Sequence, residues 1–263
     1  MTYEPVYTRT PRNAFVPSPI FVGIVAIFAV SGVLIWTGFG NVGFDAFLFV
    51  VSGWVVSLCL HEYAHAVAAY FSGDLTVAER GYLRLNPLKY THPVLSIVLP
   101  VIVVILGGIG LPGGAVWVDH RYINSRAKDS LISAAGPATN VLLALVAALP
   151  FLMGLGPDSV FDGHIAFWQA LSLVAFLQIT ASVLNVLPVP GLDGGSILRP
   201  WLSPAYRRAW DTFAPFGFLL LFVALWQTSL GGYFYDVVYR IADHLGLNPL
   251  LVSDGYDLMR FWT

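Results

Sequence analysis

The sequence predicts an all-α polytopic membrane protein, and three observations carry that expectation. Of its 263 residues, 57% are hydrophobic and 11% charged, with a mean hydropathy of +0.74, whereas soluble domains carry roughly 45–50% apolar and about 25% charged residues. Five apolar runs are long enough to cross about 30 Å of hydrocarbon at about 1.5 Å per residue. The positive charges gather in alternate connecting segments, the bias that orients helices in a bilayer.

The five runs are 20–36, 44–71, 130–153, 165–187 and 213–230. The first follows Arg9 and Arg12 but ends in no small-residue cleavage site, so it reads as a retained anchor rather than a signal peptide. A sixth run, 94–110, carries Pro100 and Gly107-Gly108 and is marginal as a span, giving about five to six transmembrane helices in all. If 94–110 dips in and returns, eleven of the thirteen Lys and Arg lie on one side. That side, with the N-terminus, is then cytoplasmic. Residues 231–263 place Tyr233, Phe234, Val237, Val238, Ile241 and Leu245 at helical spacing, which predicts a C-terminal amphipathic helix at the interface. With no internal repeat, the expected organisation is a short cytoplasmic tail (1–19), one membrane domain (20–230) and an interfacial tail (231–263).

Composition also excludes. A net charge of −2 offers no basic surface for a phosphate backbone, so nucleic acid is not an expected partner, whereas the lipid bilayer is. Eight Trp, twelve Tyr and eighteen Phe suit interfacial belts. The single cysteine, Cys59, rules out an intramolecular disulfide and any multi-cysteine zinc module, and reads as a small buried hydrophobe.

Glu62 is the one formal charge inside the apolar runs, and an intramembrane carboxylate is by default a functional group. It stands in His61-Glu62-Tyr63-Ala64-His65, where imidazoles at i and i+4 share a helix face and can bind one metal. Glu62 lies beside that metal without ligating it, where a general base must be to take a proton from metal-bound water. Random placement of the His and Glu residues would give this pattern roughly 0.002 times in such a chain. A merely hydrogen-bonded buried cluster, or a proton or ion path, is the competing reading, and it needs further partners to offset burial of three polar side chains. Two histidines leave zinc under-coordinated. Asp193 is the best third ligand, in Asn185-Val186-Leu187-Pro188-Val189-Pro190-Gly191-Leu192-Asp193-Gly194-Gly195, which begins inside the run 165–187 and breaks it with two prolines; an ordinary helix exit with Asp193 capping the next short helix is the competing reading. For Asp193 to meet His61 and His65, runs 44–71 and 165–187 must be parallel, which again requires that 94–110 not cross. Gly136-Pro137 and Asn140 read as small-residue packing with a cross-helix hydrogen bond. His92, His120, His164 and His244 read as solvated or interfacial.

These motifs, with Leu85-Asn86-Pro87-Leu88 and Ala135-Gly136-Pro137-Ala138-Thr139-Asn140 in the expected order between about residues 50 and 200, resemble the site-2 protease type of intramembrane zinc metalloprotease, in a compact form without PDZ or CBS domain. The resemblance implies one zinc per chain on His61, His65 and Asp193, with Glu62 as catalytic base. It implies a substrate that is a transmembrane protein, cleaved within or near its membrane helix, and a site supported by Asn185, Asn140, Pro188 and Gly194. A partly unwound substrate strand would need backbone partners, which 82–85 or the backbone near Gly113-Gly114 could supply. A zinc-binding scaffold without activity, or a transporter, are the alternative classes. A transporter should show repeat symmetry or further intramembrane charges, and the sequence has neither.

Overall fold

The computed structural model describes residues 10–90, 98–105, 116–157 and 163–262. Among the described residues, four helices are long and apolar enough to cross a membrane: α1 (Pro19–Thr37), α2 (Val42–Ser72), α5 (Arg126–Leu152) and α6 (Ile165–Val186). Their ends follow local chemistry. Ser18 and Asn41 accept from the backbone N–H groups of Phe21 and Phe44, and Pro19 occupies the first turn of α1. Such caps contribute about 1 kcal/mol each. Gly38, at φ 65°, closes α1 by donating back to Leu34 and Ile35.

Shorter elements join them. Helix α3 (Thr76–Glu79) and two 3-10 turns (Tyr82–Arg84 and Pro87–Lys89) follow α2, then α4 (Leu99–Ile105) and a 3-10 turn at His120–Tyr122. Residues 94–97 and 106–110 of the sixth run, like Gly113-Gly114 and His92, lie outside the described residues. Their flanks nevertheless meet. The Asp119 N–H donates to Asp74 Oδ2 at 2.7 Å, and a Cβ on Gly73 would stand 2.9 Å from the Tyr122 carbonyl. The chain between α2 and α5 therefore returns to the end of the bundle it left.

Side-chain pairs give the helix directions. Phe49 packs on Phe167 and Ser57 bonds Gln178, so residue numbers rise together and α2 runs parallel to α6. His65 meets Ile132 while His61 meets Asn140, so α5 is antiparallel to both. This is the arrangement that the expected meeting of His61, His65 and Asp193 demands. Helix α1 packs chiefly on α2.

After α6 come α7 (Asp193–Leu198), a 3-10 turn (Arg199–Trp201) and α8 (Pro204–Gln227), which begins earlier than the run 213–230 suggests. Helix α8 bends by 62° between Gly217 and Leu219, just beyond Pro215, whose ring removes a backbone donor from the helix. The tail forms two helices rather than one. They are α9 (Leu230–His244) and α10 (Pro249–Met259), separated at Gly246 with φ 76°. Helix α10 does not lie free: Val252, Gly255 and Met259 are buried against α6 and α2. No strand occurs among the described residues.

Candidate functional site

Two elements bring the three expected ligands together. His61 and His65 lie one turn apart on α2, and Asp193 opens α7. His61 Nε2 is 3.1 Å from Asp193 Oδ2, His65 Nε2 is 3.4 Å from Asp193 Oδ1, and the two Nε2 atoms are 3.0 Å apart. This is the one group of three metal-ligating side chains among the described residues, with its ligand atoms within 4.8 Å of one another.

The chain reaches Asp193 through a tight turn. Pro188 follows the end of α6, removing the donor that another helical turn would need. Gly191 takes φ 90°, and Gly194 and Gly195 lie so close to the carbonyls of Val186, Leu187 and Val189 that a Cβ at either would collide with backbone. Gly194 thus lets α7 fold back on the end of α6. Asn185 is buried in the last turn of α6.

The imidazoles are held from behind. His65 Nδ1 lies 2.7 Å from the Ile132 carbonyl, and His61 Nδ1 lies 2.5 Å from Asn140 Oδ1. A carbonyl partner at Nδ1 holds the proton there and leaves Nε2 as the ligating atom. Asn140 donates in turn to Gln178 Oε1 at 3.0 Å, and Gln178 donates to Ser57 Oγ at 2.8 Å. Asn140, expected to pack and to hydrogen-bond across helices, thus bonds one of the expected ligands directly.

Gly136 is the residue that sequence reasoning assigned only to packing. A Cβ there would overlap both Nε2 atoms. A glycine at this point of α5 keeps open the space between the two nitrogens, which is what an ion bound to both requires. With two neutral imidazoles and one carboxylate as donors, the set suits zinc.

Glu62 faces the same cavity, of about 370 Å³, which His65, Asp193, Ser133, Arg199 and the segment from Val116 to Val118 also line. Its Oε2 accepts the Val116 N–H at 2.9 Å. That segment is anchored below the cavity. Arg80 lies over the Trp117 ring at 4.0 Å, and the Arg121 guanidinium, hydrogen-bonded to Asp119, holds that carboxyl below the usual carboxylate range. The stretch 82–85 cannot serve as a strand edge: it forms a 3-10 turn with Tyr82 and Leu83 buried, followed by Leu85 at φ 53°. Cys59 is fully buried. Of the remaining described histidines, His120 also lines this cavity, paired with Asp129, whereas His164 stacks on Trp36 and His244 bonds the Arg240 carbonyl, both away from it.

A protein of Mycolicibacterium smegmatis named as a zinc metalloprotease, Rip2, is 44% identical over 97% of this chain and 98% of its own length. The chain belongs to the site-2 protease family. The Mycobacterium tuberculosis protein of the same name is 43% identical over 96% of each chain. The Bacillus subtilis protein YwhC, also named as a zinc metalloprotease, is 32% identical over 68% of this chain and 80% of its own. No protein-family model and no solved structure matches the chain.

Proposed function

We propose that this integral membrane zinc metalloendopeptidase hydrolyses a peptide bond within or near a transmembrane helix of another protein, as regulated intramembrane proteolysis, with His61, His65 and Asp193 holding the zinc and Glu62 acting as general base. The observation that carries the reading is the convergence of two distant motifs, from α2 and α7, beside a carboxylate in a polar cavity of an otherwise apolar bundle. The family membership and the relatives' names support zinc and proteolysis.

Bound zinc supplies Lewis acidity, which makes water a stronger acid and a carbonyl a better electrophile. The protein's own groups do the rest. His61 and His65 present Nε2 to the metal because their Nδ1 atoms are occupied by Asn140 and Ile132. Glu62, beside the metal ligands, accepts a proton as the nucleophile forms and returns it to the leaving amine. We assign Asn185, at the exit of α6, to holding the substrate backbone, and Asn140 and Gly194 to supporting the ligands. The bias of eleven positive charges to one side supports a cytoplasmic N-terminus and a cytoplasmic opening of the site.

The test is reconstitution in proteoliposomes with single-span test proteins, reading the cleavage position by mass spectrometry for wild type and Glu62→Gln. Cleavage in or beside the span by wild type, and none by a Glu62→Gln protein that still holds one zinc, is the expected result. Equal turnover by the zinc-loaded variant would remove Glu62 from the mechanism, and cleavage confined to soluble segments would overturn the intramembrane substrate.

A further inference from the structure

Given the zinc assignment proposed above, we infer that the backbone carbonyl of Trp54, acting through Ser57, Gln178 and Asn140, selects the His61 tautomer that ligates the metal, and that Ser57 and Gln178 are positioning residues of this site. The chain of contacts runs through α2, α6 and α5 and returns to α2. Its direction follows from its last member, because a peptide carbonyl can only accept a hydrogen bond.

Ser57 Oγ lies 2.8 Å from the Trp54 carbonyl, so its single proton is committed there and its lone pairs face Gln178. Gln178 must then turn its amide nitrogen to Ser57, at 2.8 Å, and its oxygen to Asn140. Asn140 must likewise turn its nitrogen to Gln178, at 3.0 Å, and its oxygen to His61. His61 is left with its proton on Nδ1, against that oxygen, and its free pair on Nε2, the atom 3.1 Å from Asp193. Reversing either amide would set donor against donor or acceptor against acceptor at buried joints.

Burial keeps the polarity from being scrambled. Ser57, Asn140 and Gln178 are 3%, 3% and 2% exposed. Ser57 and Gln178 form the polar floor of a cavity of about 660 Å³ whose walls include Phe28, Phe49, Leu171 and Val174, so few competing partners are at hand. The second histidine reaches the same outcome in one step, since His65 Nδ1 faces the Ile132 carbonyl directly. Both ligand tautomers thus trace to a backbone carbonyl, one at first remove and the other at fourth.

The experiment measures zinc affinity in detergent by competition with a chromophoric chelator, and nitrogen NMR of labelled imidazoles in zinc-free protein. The proteins are wild type, Gln178→Met, Ser57→Ala and Ser57→Thr. Gln178→Met should bind zinc roughly 10–100-fold more weakly and lose the single Nδ1-protonated form of His61. Ser57→Ala should lose about several-fold in affinity, and Ser57→Thr, which restores the hydroxyl, should return to within about twofold of wild type. A Gln178→Met protein that keeps both the affinity and the Nδ1 proton overturns the relay. If that variant does not fold, the Ser57 pair decides, and equal affinity for Ala and Thr overturns it. Wild type without stoichiometric zinc would instead defeat the metal assignment, and the nitrogen spectra would still decide the tautomer.

Discussion

Helices α1 and α6 both span a membrane by length and composition, yet they solve opposite problems. Of the four spans, α1 has the highest mean hydropathy and 17% of its apolar window buried, whereas α6 has the lowest and 72% buried. Val22, Val30 and Val33 of α1 face outward, while α6 buries Ser172, Gln178, Thr180, Ser182 and Asn185. In lipid, apolarity is what an exposed surface needs, and polar side chains are kept inside the bundle, where Gln178 bonds across helices and Thr180 and Ser182 bond their own backbone. The span that a hydropathy scan ranks last is consequently the one that feeds the metal site.

That contrast can be broken or sharpened by substitution. The largest effect is expected at Glu62→Gln, where loss of the proposed general base should lower the cleavage rate by about 10²–10⁴-fold or more with zinc content unchanged. Next is Gly136→Ala. Its methyl group enters the space between the His61 and His65 nitrogens, so zinc per chain, read by elemental analysis, should fall well below one; full occupancy would show that the helix yields there. Within α6, Ala175→Leu at a position with 0% exposure should cost about 1–3 kcal/mol in denaturant unfolding through overpacking. The smallest effect belongs to α1: Val30→Leu, on its outward face, should stay within about 0.5 kcal/mol of wild type in the same measurement. A large loss at Val30 with none at Ala175 would reverse the comparison.

What the sequence discloses depends on how local its cause is. His61, Glu62 and His65 are legible because one helical turn puts them together, and Asp193 because two prolines and the glycine pair mark a break in a membrane helix. The parallel course of α2 and α6 is legible from charge bias and ligand geometry together, and the contact between Asp74 and Asp119 agrees with it. Gly136 is not legible as part of the site, since its contribution is an absence of atoms at a point defined by two side chains of another helix. Gln178 is hidden for a related reason: its partner Ser57 is 121 residues away, and only their contact gives either a role. The two-helix tail escapes periodicity alone because the break falls at Gly246, which packs against Phe151 of α5.

Helix α2 is 31 residues long, about 46 Å at about 1.5 Å per residue, against about 30 Å of hydrocarbon. With its first turn at one boundary, His61 stands about 28 Å along the axis, close to the opposite boundary. Hydrolysis consumes one water for every bond cut, and a site at that depth can draw it from the adjoining aqueous phase across less than about one turn of helix. The surplus length of one helix thereby solves a supply problem that a site at the bilayer centre would need a dedicated channel to solve.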